Sequence, residues 1–389
     1  MDITKLLVLM VEHGASDLYL TVDSPPMYRI NGSIRPAGNR CLSEEDTEKL
    51  AMSTMNDKQQ KEFIANNEQN LALYYSSLGR FRVNVYRQRG AIAVVIRQIR
   101  TEIQTLDDLD LPSVFKDIAM TKRGLVLVVG ATGSGKSTSL AALIDHRNTN
   151  AAGHIVTIED PIEFVHVHKK SIISQREIGL DTVSYEIALK NALRQAPDVV
   201  LLGEIRDLGT MEAAITFAET GHLCLATLHS NNANQAMERV MNFFPAERHA
   251  QIYMQLSMNL RAVVSQRLVK TVDDSRVAAV EILLDSPRVK DLILKGQITE
   301  LKEAMEKSTL QGMQSFDQAL YDLYKSNKIT LDEALKNADS ANNVRLRVKL
   351  SEDAVTHKSS DLDAPIGQSS NENVAKKDDN EQALELHLD

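Results

Sequence analysis

Cysteine and long apolar runs are scarce in this 389-residue sequence, and each scarcity excludes a class of structure. Cys41 and Cys224 lie far apart, so they form no Cys-x-x-Cys zinc site and favour a reducing compartment. No segment approaches a run of about eighteen apolar residues, and the first residues lack a signal-peptide layout. We therefore expect a cytoplasmic protein without a transmembrane segment. The net charge of −9 gives no general reason to expect nucleic-acid binding.

Length and composition predict an enzyme with two domains, because a chain with 43% hydrophobic residues can bury an ample core. Residues 1–98 read as a small α+β domain, in which Arg80 to Tyr86 alternates between apolar and polar side chains. Residues 99–112 are acidic and polar and are predicted to be a linker, followed by a nucleotide-binding domain at 113–350. Residues 351–389 hold ten acidic residues against three lysines without an apolar period, which predicts a disordered acidic tail.

The strongest local signal is the phosphate loop Gly130-Ala131-Thr132-Gly133-Ser134-Gly135-Lys136-Ser137, which matches the pattern G-x-x-x-x-G-K-[ST]. It follows an apolar, β-branched run that predicts a buried parallel strand, and it opens into a helical apolar pattern. Backbone N–H groups in such a loop turn toward an anion, while the lysine adds charge and the Ser137 hydroxyl ligates Mg²⁺. A glycine-rich turn with a surface lysine is the weaker alternative. The sequence predicts that a nucleoside triphosphate is bound through Thr132, Gly133, Ser134, Gly135, Lys136, Ser137 and Thr138.

Carboxylates follow two further predicted strands. The run His154 to Ile158 ends in Glu159-Asp160-Pro161-Ile162-Glu163, and the run Asp198 to Leu202 is followed by Glu204. Open α/β sheets bind ligands at the carboxyl ends of their strands, and hydrolysis of a γ-phosphate needs positioned water, a metal ion and charge stabilisation. Glu163 and Glu204 are therefore candidates for orienting water and for holding hydrated Mg²⁺. The alternative is that they are solvated carboxylates after a strand.

Two histidines lie at the ends of a third predicted strand, Thr220 to His229. His229 stands at its carboxyl end and should lie near the phosphates. His222 stands at the opposite end, where a role in sensing or subunit contact is open beside a structural one.

These motifs, in this order, resemble the Walker A, Asp, Walker B and His boxes of the secretion and type IV pilus ATPases. The matching stretches are the phosphate loop, Thr157 to Glu163, Gly203 to Asp207, and Thr220 to His229. The similarity runs from about residue 1 to 350. It implies an α/β fold with a RecA-like P-loop NTPase core and a smaller PAS-like N-terminal domain. It also implies a homohexameric ring that hydrolyses ATP with Mg²⁺.

Within that superfamily the sequence is similar to the retraction branch, the PilT/PilU family, since two isolated cysteines cannot form the four-cysteine zinc module of assembly ATPases. The segment Pro287 to Leu294 keeps the apolar spacing of a retraction motif, but its charges differ. That departure and the acidic tail resemble the accessory, PilU-like members. The resemblance implies pilus disassembly and twitching motility, a PilT-like partner retraction ATPase, an inner-membrane platform protein, and a peripheral position at the inner membrane.

The resemblance assigns roles by position. Lys136 and Ser137 would hold phosphate and Mg²⁺, Glu163 would activate the attacking water, Glu204 would support the metal through water, and His229 would contact the γ-phosphate.

Arginines from the N-terminal domain of a neighbouring subunit would complete the site. Arg80 and Arg82 are candidates because they lie on the polar face of a predicted strand, and Arg97 is the third candidate. Solvated strand arginines are the alternative.

Two functions of different class stay open. One is a hydrolysing ring motor that works against a membrane platform. The other is a nucleotide-gated docking module that turns over little and acts through a partner retraction ATPase. The intact boxes favour the motor, whereas the altered late segment keeps the docking module under consideration.

Overall fold

The computed structural model describes residues 2–99 and 101–360, which form a mixed α/β fold with two sheets. Both sheets lie in one compact unit that ends at Val344, and a second unit begins at Arg345. The predicted α/β class is confirmed.

The N-terminal sheet is antiparallel. Its six strands are β1 (Asp17–Leu20), β2 (Met27–Ile30), β3 (Ser33–Pro36), β4 (Glu68–Tyr75), β5 (Gly79–Gln88) and β6 (Ala91–Ile99). Their order across the sheet is β3-β2-β1-β6-β5-β4. The accompanying helices are α1 (Ile3–Glu12), α2 (Glu44–Ser53) and α3 (Asp57–Asn66).

Strand β5 shows the predicted alternation. Phe81, Val83 and Val85 are fully buried in the N-terminal core, whereas Arg80 and Arg82 lie on the opposite face. This pattern is typical of a sheet with one face packed on a core.

The second sheet is mostly parallel. Its seven strands are β7 (Gly124–Val129), β8 (Gly153–Glu159), β9 (Ser171–Glu177), β10 (Val199–Leu202), β11 (Leu223–Leu228), β12 (Leu260–Lys270) and β13 (Arg276–Leu284). They run in the order β13-β12-β7-β11-β10-β8-β9, and only β13 pairs antiparallel, with β12. Parallel strands are joined by crossover helices that cover both faces of the sheet. Such strands are therefore continuous apolar runs, as β7 and β11 are.

Helices cover both faces of the second sheet. Leu125, Leu127 and Val129 of β7 belong to one buried cluster, and Val126 and Val128 belong to another on the opposite face. Fully burying such a side chain contributes about 1.5–3 kcal/mol relative to leaving it exposed. The helices of this region are α4 (Val114–Met120), α5 (Lys136–Asn150), α6 (Tyr185–Ala192), α7 (Leu208–Glu219), α8 (Ala233–Asn242), α9 (His249–Asn259), α10 (Pro287–Leu294), α11 (Leu301–Lys307), α12 (Phe316–Lys325), α13 (Leu331–Asn337) and α14 (Ala341–Ser360).

The predicted linker and tail differ in part from the structure. Leu106 and Leu111 of the linker are buried in the cluster that also contains Phe115, so part of this segment is packed. The predicted domain end at Leu350 falls inside α14, which continues to Ser360, and the rest of the predicted tail lies outside the described residues. Within the described ranges, no helix is both long and apolar enough to cross a membrane.

Candidate active site

The phosphate loop has the predicted context, because β7 ends at Val129 and α5 begins at Lys136. Gly130 and Gly135 adopt positive φ angles of 154° and 90°. A Cβ atom on Gly130 would lie 2.5 Å from the carbonyl oxygen of Gln266, and one on Gly135 would lie 2.7 Å from the Gln266 side-chain amide. Both positions therefore require glycine for conformation and for space.

Gln266 is a site residue that the sequence reasoning missed. It lies on β12, is 3% exposed, and accepts a hydrogen bond of 2.8 Å from Ser139 Oγ of α5. It therefore supports the loop and the first turn of α5 together. The only sequence signal was a pair of polar residues, Ser265 and Gln266, directly after the apolar run Ala262 to Val264.

Lys136 is held over the loop by two carbonyl oxygens. Its Nζ donates to Gly130 O and Ala131 O, each at 2.9 Å. Burial lowers the pKa of Lys136, and the negative charge of Glu204 opposes that shift. Ser134 is buried in the loop, and its Oγ has no hydrogen-bond partner among the described residues. The loop, with the Lys136 ammonium group and the unpaired Ser134 hydroxyl, fits a phosphate anion.

The two glutamates of the Asp box have different surroundings. Glu159 is buried, and it accepts hydrogen bonds from Thr157 Oγ1 at 2.6 Å and Gln175 Nε2 at 3.3 Å. Burial raises the pKa of Glu159 in spite of these bonds. Glu163 is exposed in the segment after β8 and lines the cavity, so its carboxylate is accessible to water.

Glu204 and His229 come together at the ends of β10 and β11. His229 Nε2 lies 3.2 Å from Glu204 Oε1, and Arg206 Nε lies 2.6 Å from Glu204 Oε2. The parallel pairing of β10 with β11 explains this contact, since both strands end at the same edge of the sheet.

His222 lies at the opposite end of β11. Its Nδ1 is within hydrogen-bond distance of Thr220 Oγ1 (3.0 Å) and Phe217 O (3.2 Å). Its ring packs edge-on against the Phe217 ring, with centroids 5.8 Å apart. These local contacts support a structural role for His222.

The predicted site residues other than Arg80 and Ser134 line one cavity of about 750 Å³ between the two sheets. Of the predicted phosphate contacts, Ser134 alone is absent from the cavity wall, because it is buried in the loop. The core residues that line the cavity are Thr132, Gly133, Gly135, Lys136, Ser137, Thr138, Glu163, Glu204 and His229. The N-terminal sheet contributes Asp17, Arg82 and Arg97.

The sequence predicts that arginines of a neighbouring subunit complete the site, and this stays a prediction. Arg82 and Arg97 line the cavity of their own chain. Arg82 and Arg97 are directly opposite each other in the antiparallel pair β5–β6, so their side chains share one face of the sheet. That face borders the cavity within the same chain.

Arg97 and Arg80 have different carboxylate partners. Arg97 Nε donates to Asp17 Oδ1 at 2.7 Å, and this interaction raises the pKa of Arg97, with a further contribution from the charge of Glu163. Arg80 lies 3.7 Å from Glu177 Oε2. Asp17 and Glu177 are both buried carboxylates that sequence reasoning missed, because their partners lie far away along the chain.

Comparison with known proteins gives a consistent result. The profile of the family described as "Type II/IV secretion system protein" matches residues 2–361. The chain is 54% identical to the type IV pilus ATPase PilU of Pseudomonas aeruginosa, over 92% of this chain and 95% of that protein. It is 41% identical to the PilT retraction ATPase of the same organism, over 87% of this chain and 98% of that one.

A similar structure is the crystal structure of the pilus retraction motor PilT with bound ADP. The TM-score is 0.81 at 40% identity, over 87% of this chain and 98% of that chain. The ATPase DotB of Legionella pneumophila gives a TM-score of 0.73 at 28% identity, over 84% of this chain and 93% of that one. The family match spans both sheets and every residue that lines the cavity.

Proposed function

Because this chain belongs to the type II/IV secretion system protein family, we propose that it is a type IV pilus ATPase that hydrolyses ATP in the cavity between its two sheets. The observation that carries this proposal is the meeting of the phosphate loop, Glu163, Glu204 and His229 around one cavity. Phosphoryl transfer depends on positioning and on charge stabilisation, and these groups supply both.

The phosphate end of the nucleotide is bound by the loop and by Lys136. Backbone N–H groups of the loop would donate to the phosphate oxygens, and the Lys136 ammonium would exchange its two carbonyl partners for phosphate oxygens. Mg²⁺ would neutralise the negative charge of the phosphates when it is bound. Ser137 would ligate it directly and Glu204 through water, in line with the preference of Mg²⁺ for few protein ligands.

The hydrolytic step uses further groups that line the cavity. Glu163 and Asp160 are the exposed carboxylates there, and Asp160 is paired with Arg206 Nη1 at 3.0 Å. Glu163 orients the attacking water and accepts its proton. His229 is held by Glu204 at 3.2 Å and contacts the γ-phosphate. Arg82 lines the cavity from the N-terminal sheet and stabilises the developing negative charge, while Arg97 stays bound to Asp17.

We base the proposed domains, oligomeric state and partners on the similarity to known pilus ATPases. We propose a PAS-like domain at residues 1–98 and a RecA-like ATPase domain that begins at residue 113, in a ring of six subunits. Similarity to the pilus ATPases PilU and PilT supports a role in pilus retraction. We propose that the protein is accessory to a PilT-like ATPase and acts at an inner-membrane platform protein on the cytoplasmic face. The altered charges of α10 favour a second candidate, a nucleotide-gated docking module with little turnover.

Steady-state phosphate release by the purified full-length protein tests the proposal. The wild-type protein should hydrolyse ATP in the presence of Mg²⁺, whereas Glu163→Gln should bind ATP and release roughly 10²-fold less phosphate. Glu186→Gln, an exposed glutamate of α6 away from the cavity, is the matched control and should retain the wild-type rate. Wild-type turnover no faster than that of Glu163→Gln would reject the motor and support the docking module.

A further inference from the structure

Glu177 is a buried carboxylate beside the Asp box. It ends β9 directly opposite Glu159, the last residue of β8, and it is 4% exposed. Its Oε2 accepts a long hydrogen bond of 3.4 Å from the backbone N–H of Ile162. Ile162 immediately precedes Glu163, so Glu177 holds the backbone from which Glu163 projects.

The same oxygen of Glu177 is also reached from the N-terminal sheet. Arg80 of β5 places its terminal nitrogen 3.7 Å from Glu177 Oε2. Burial raises the pKa of Glu177, while the Ile162 N–H and the charges of Arg80 and Arg82 favour its ionised form. A buried charge with a partner on each side leaves an uncompensated group when either partner moves away.

We infer that Glu177 is a positioning residue that links the N-terminal sheet to the orientation of Glu163. A displacement of β5 relative to the core changes the contact between Arg80 and Glu177. That change also alters the hydrogen bond from the Ile162 N–H, because both groups contact the same atom, Glu177 Oε2. Arg80 then acts on Glu163 through Glu177 and not on phosphate. The inference rests on the proposed role of Glu163 in hydrolysis.

Two substitutions at Glu177 separate its contacts. Glu177→Gln keeps an acceptor for the Ile162 N–H but loses the ion pair, and Glu177→Ala loses both. We expect kcat to fall about 10-fold in the first and about 10²-fold in the second, because a small misplacement of a catalytic group costs rates of this order. The KM for ATP should stay within about threefold, since the phosphate loop is intact.

Hydrogen exchange gives a readout besides activity. The amide of Ile162 should exchange faster in Glu177→Ala than in the wild-type chain, with Glu177→Gln between them. Arg80→Ala should lower kcat about as much as Glu177→Gln. The double variant Arg80→Ala/Glu177→Gln should be no slower than either single variant, because both remove the same interaction.

Asp317→Asn is the matched control. Asp317 is 1% exposed, and its Oδ1 accepts hydrogen bonds from the backbone N–H groups of Asp339 and Ser340 at 2.8 and 3.1 Å. Its Oδ2 lies 3.6 Å from Lys302 Nζ. It is a similar buried carboxylate on α12, away from the cavity, so its loss should lower the melting temperature without lowering kcat.

Three results would overturn the inference: a wild-type kcat in Glu177→Ala, a loss no larger than that in Asp317→Asn, or additive effects of Arg80→Ala and Glu177→Gln. The proposed function is tested separately, by wild-type turnover and by its loss in Glu163→Gln. If the wild-type protein hydrolyses ATP and Glu177→Ala does too, only the positioning role fails.

Discussion

The two sheets present their functional groups in different ways. In the seven-stranded sheet, β7 and β11 are buried at every position, so the polar groups of the site stand beyond the strand ends. In the six-stranded sheet, β5 alternates between buried and partly exposed residues, so Arg80 and Arg82 stand along the strand itself. A sheet covered on both faces can present polar side chains only beyond its strand ends, whereas a sheet covered on one face can present them along its open face. The cavity lies between the strand ends of the seven-stranded sheet and the open face of the six-stranded sheet.

The largest expected effect is at the edge of the core sheet. Lys136→Ala removes the charge that holds the phosphates, so we expect kcat/KM for ATP to fall roughly 10³-fold, with weaker nucleotide binding. Glu163→Gln keeps the shape of the site and should retain binding. Fluorescent-nucleotide titration and phosphate release measure the two quantities. Equal loss of binding in both variants would contradict the role of Glu163.

Paired substitutions in one strand of each sheet test the difference in burial. Leu127→Ala and Val128→Ala, on opposite faces of β7, should each lower the free energy of unfolding by about 2–4 kcal/mol. On β5, Val83→Ala should cost about 2 kcal/mol, whereas Asn84→Ala, on the polar face, should cost about 0.5 kcal/mol or less. Denaturant titration of the four variants measures this. A small effect of either β7 variant would show that one face of the core sheet is poorly packed.

Substitution of Arg82 tests whether the two sheets of one chain share a site. Arg82→Ala should lower kcat by about 10-fold to 10²-fold, because a cation facing the transferred phosphate is lost, while Asn84→Ala on the same strand face should not. Mixed rings of Arg82→Ala and Glu163→Gln subunits should recover no activity, since each chain then carries one defective cavity. Recovery in rings shown to be mixed would mean that the arginine acts across subunits.

The smallest effect is expected outside both sheets. Truncation after Ser360 removes a polar, acidic segment without an apolar period, which has little capacity to pack on either core. The ATPase rate should stay within about twofold and the melting temperature should be unchanged. Calorimetry and phosphate release check this. A loss of activity would show that the segment contributes to the folded core.

The sequence predicted the parts of the site that local patterns encode. Strand, loop and helix follow each other directly around Lys136, and parallel strand ends predicted that Glu204 and His229 would share one edge. The contacts of Asp17, Glu177 and Gln266 were not predictable in this way, because each partner lies elsewhere in the chain. Arg82 and Arg97 line the cavity of their own chain because of the way the two sheets pack, and a strand pattern carries no information about that packing.

The close packing of Gln266 against Gly130 and Gly135 has an evolutionary consequence. The two glycines are needed by a strand more than a hundred residues away, as well as by any phosphate. Selection for a folded core therefore keeps them even in a descendant that has lost catalysis. The phosphate-loop motif would outlast hydrolysis among relatives, whereas an exposed residue such as Glu163 would be free to drift. Loss of turnover in such a lineage would show first at the Asp box.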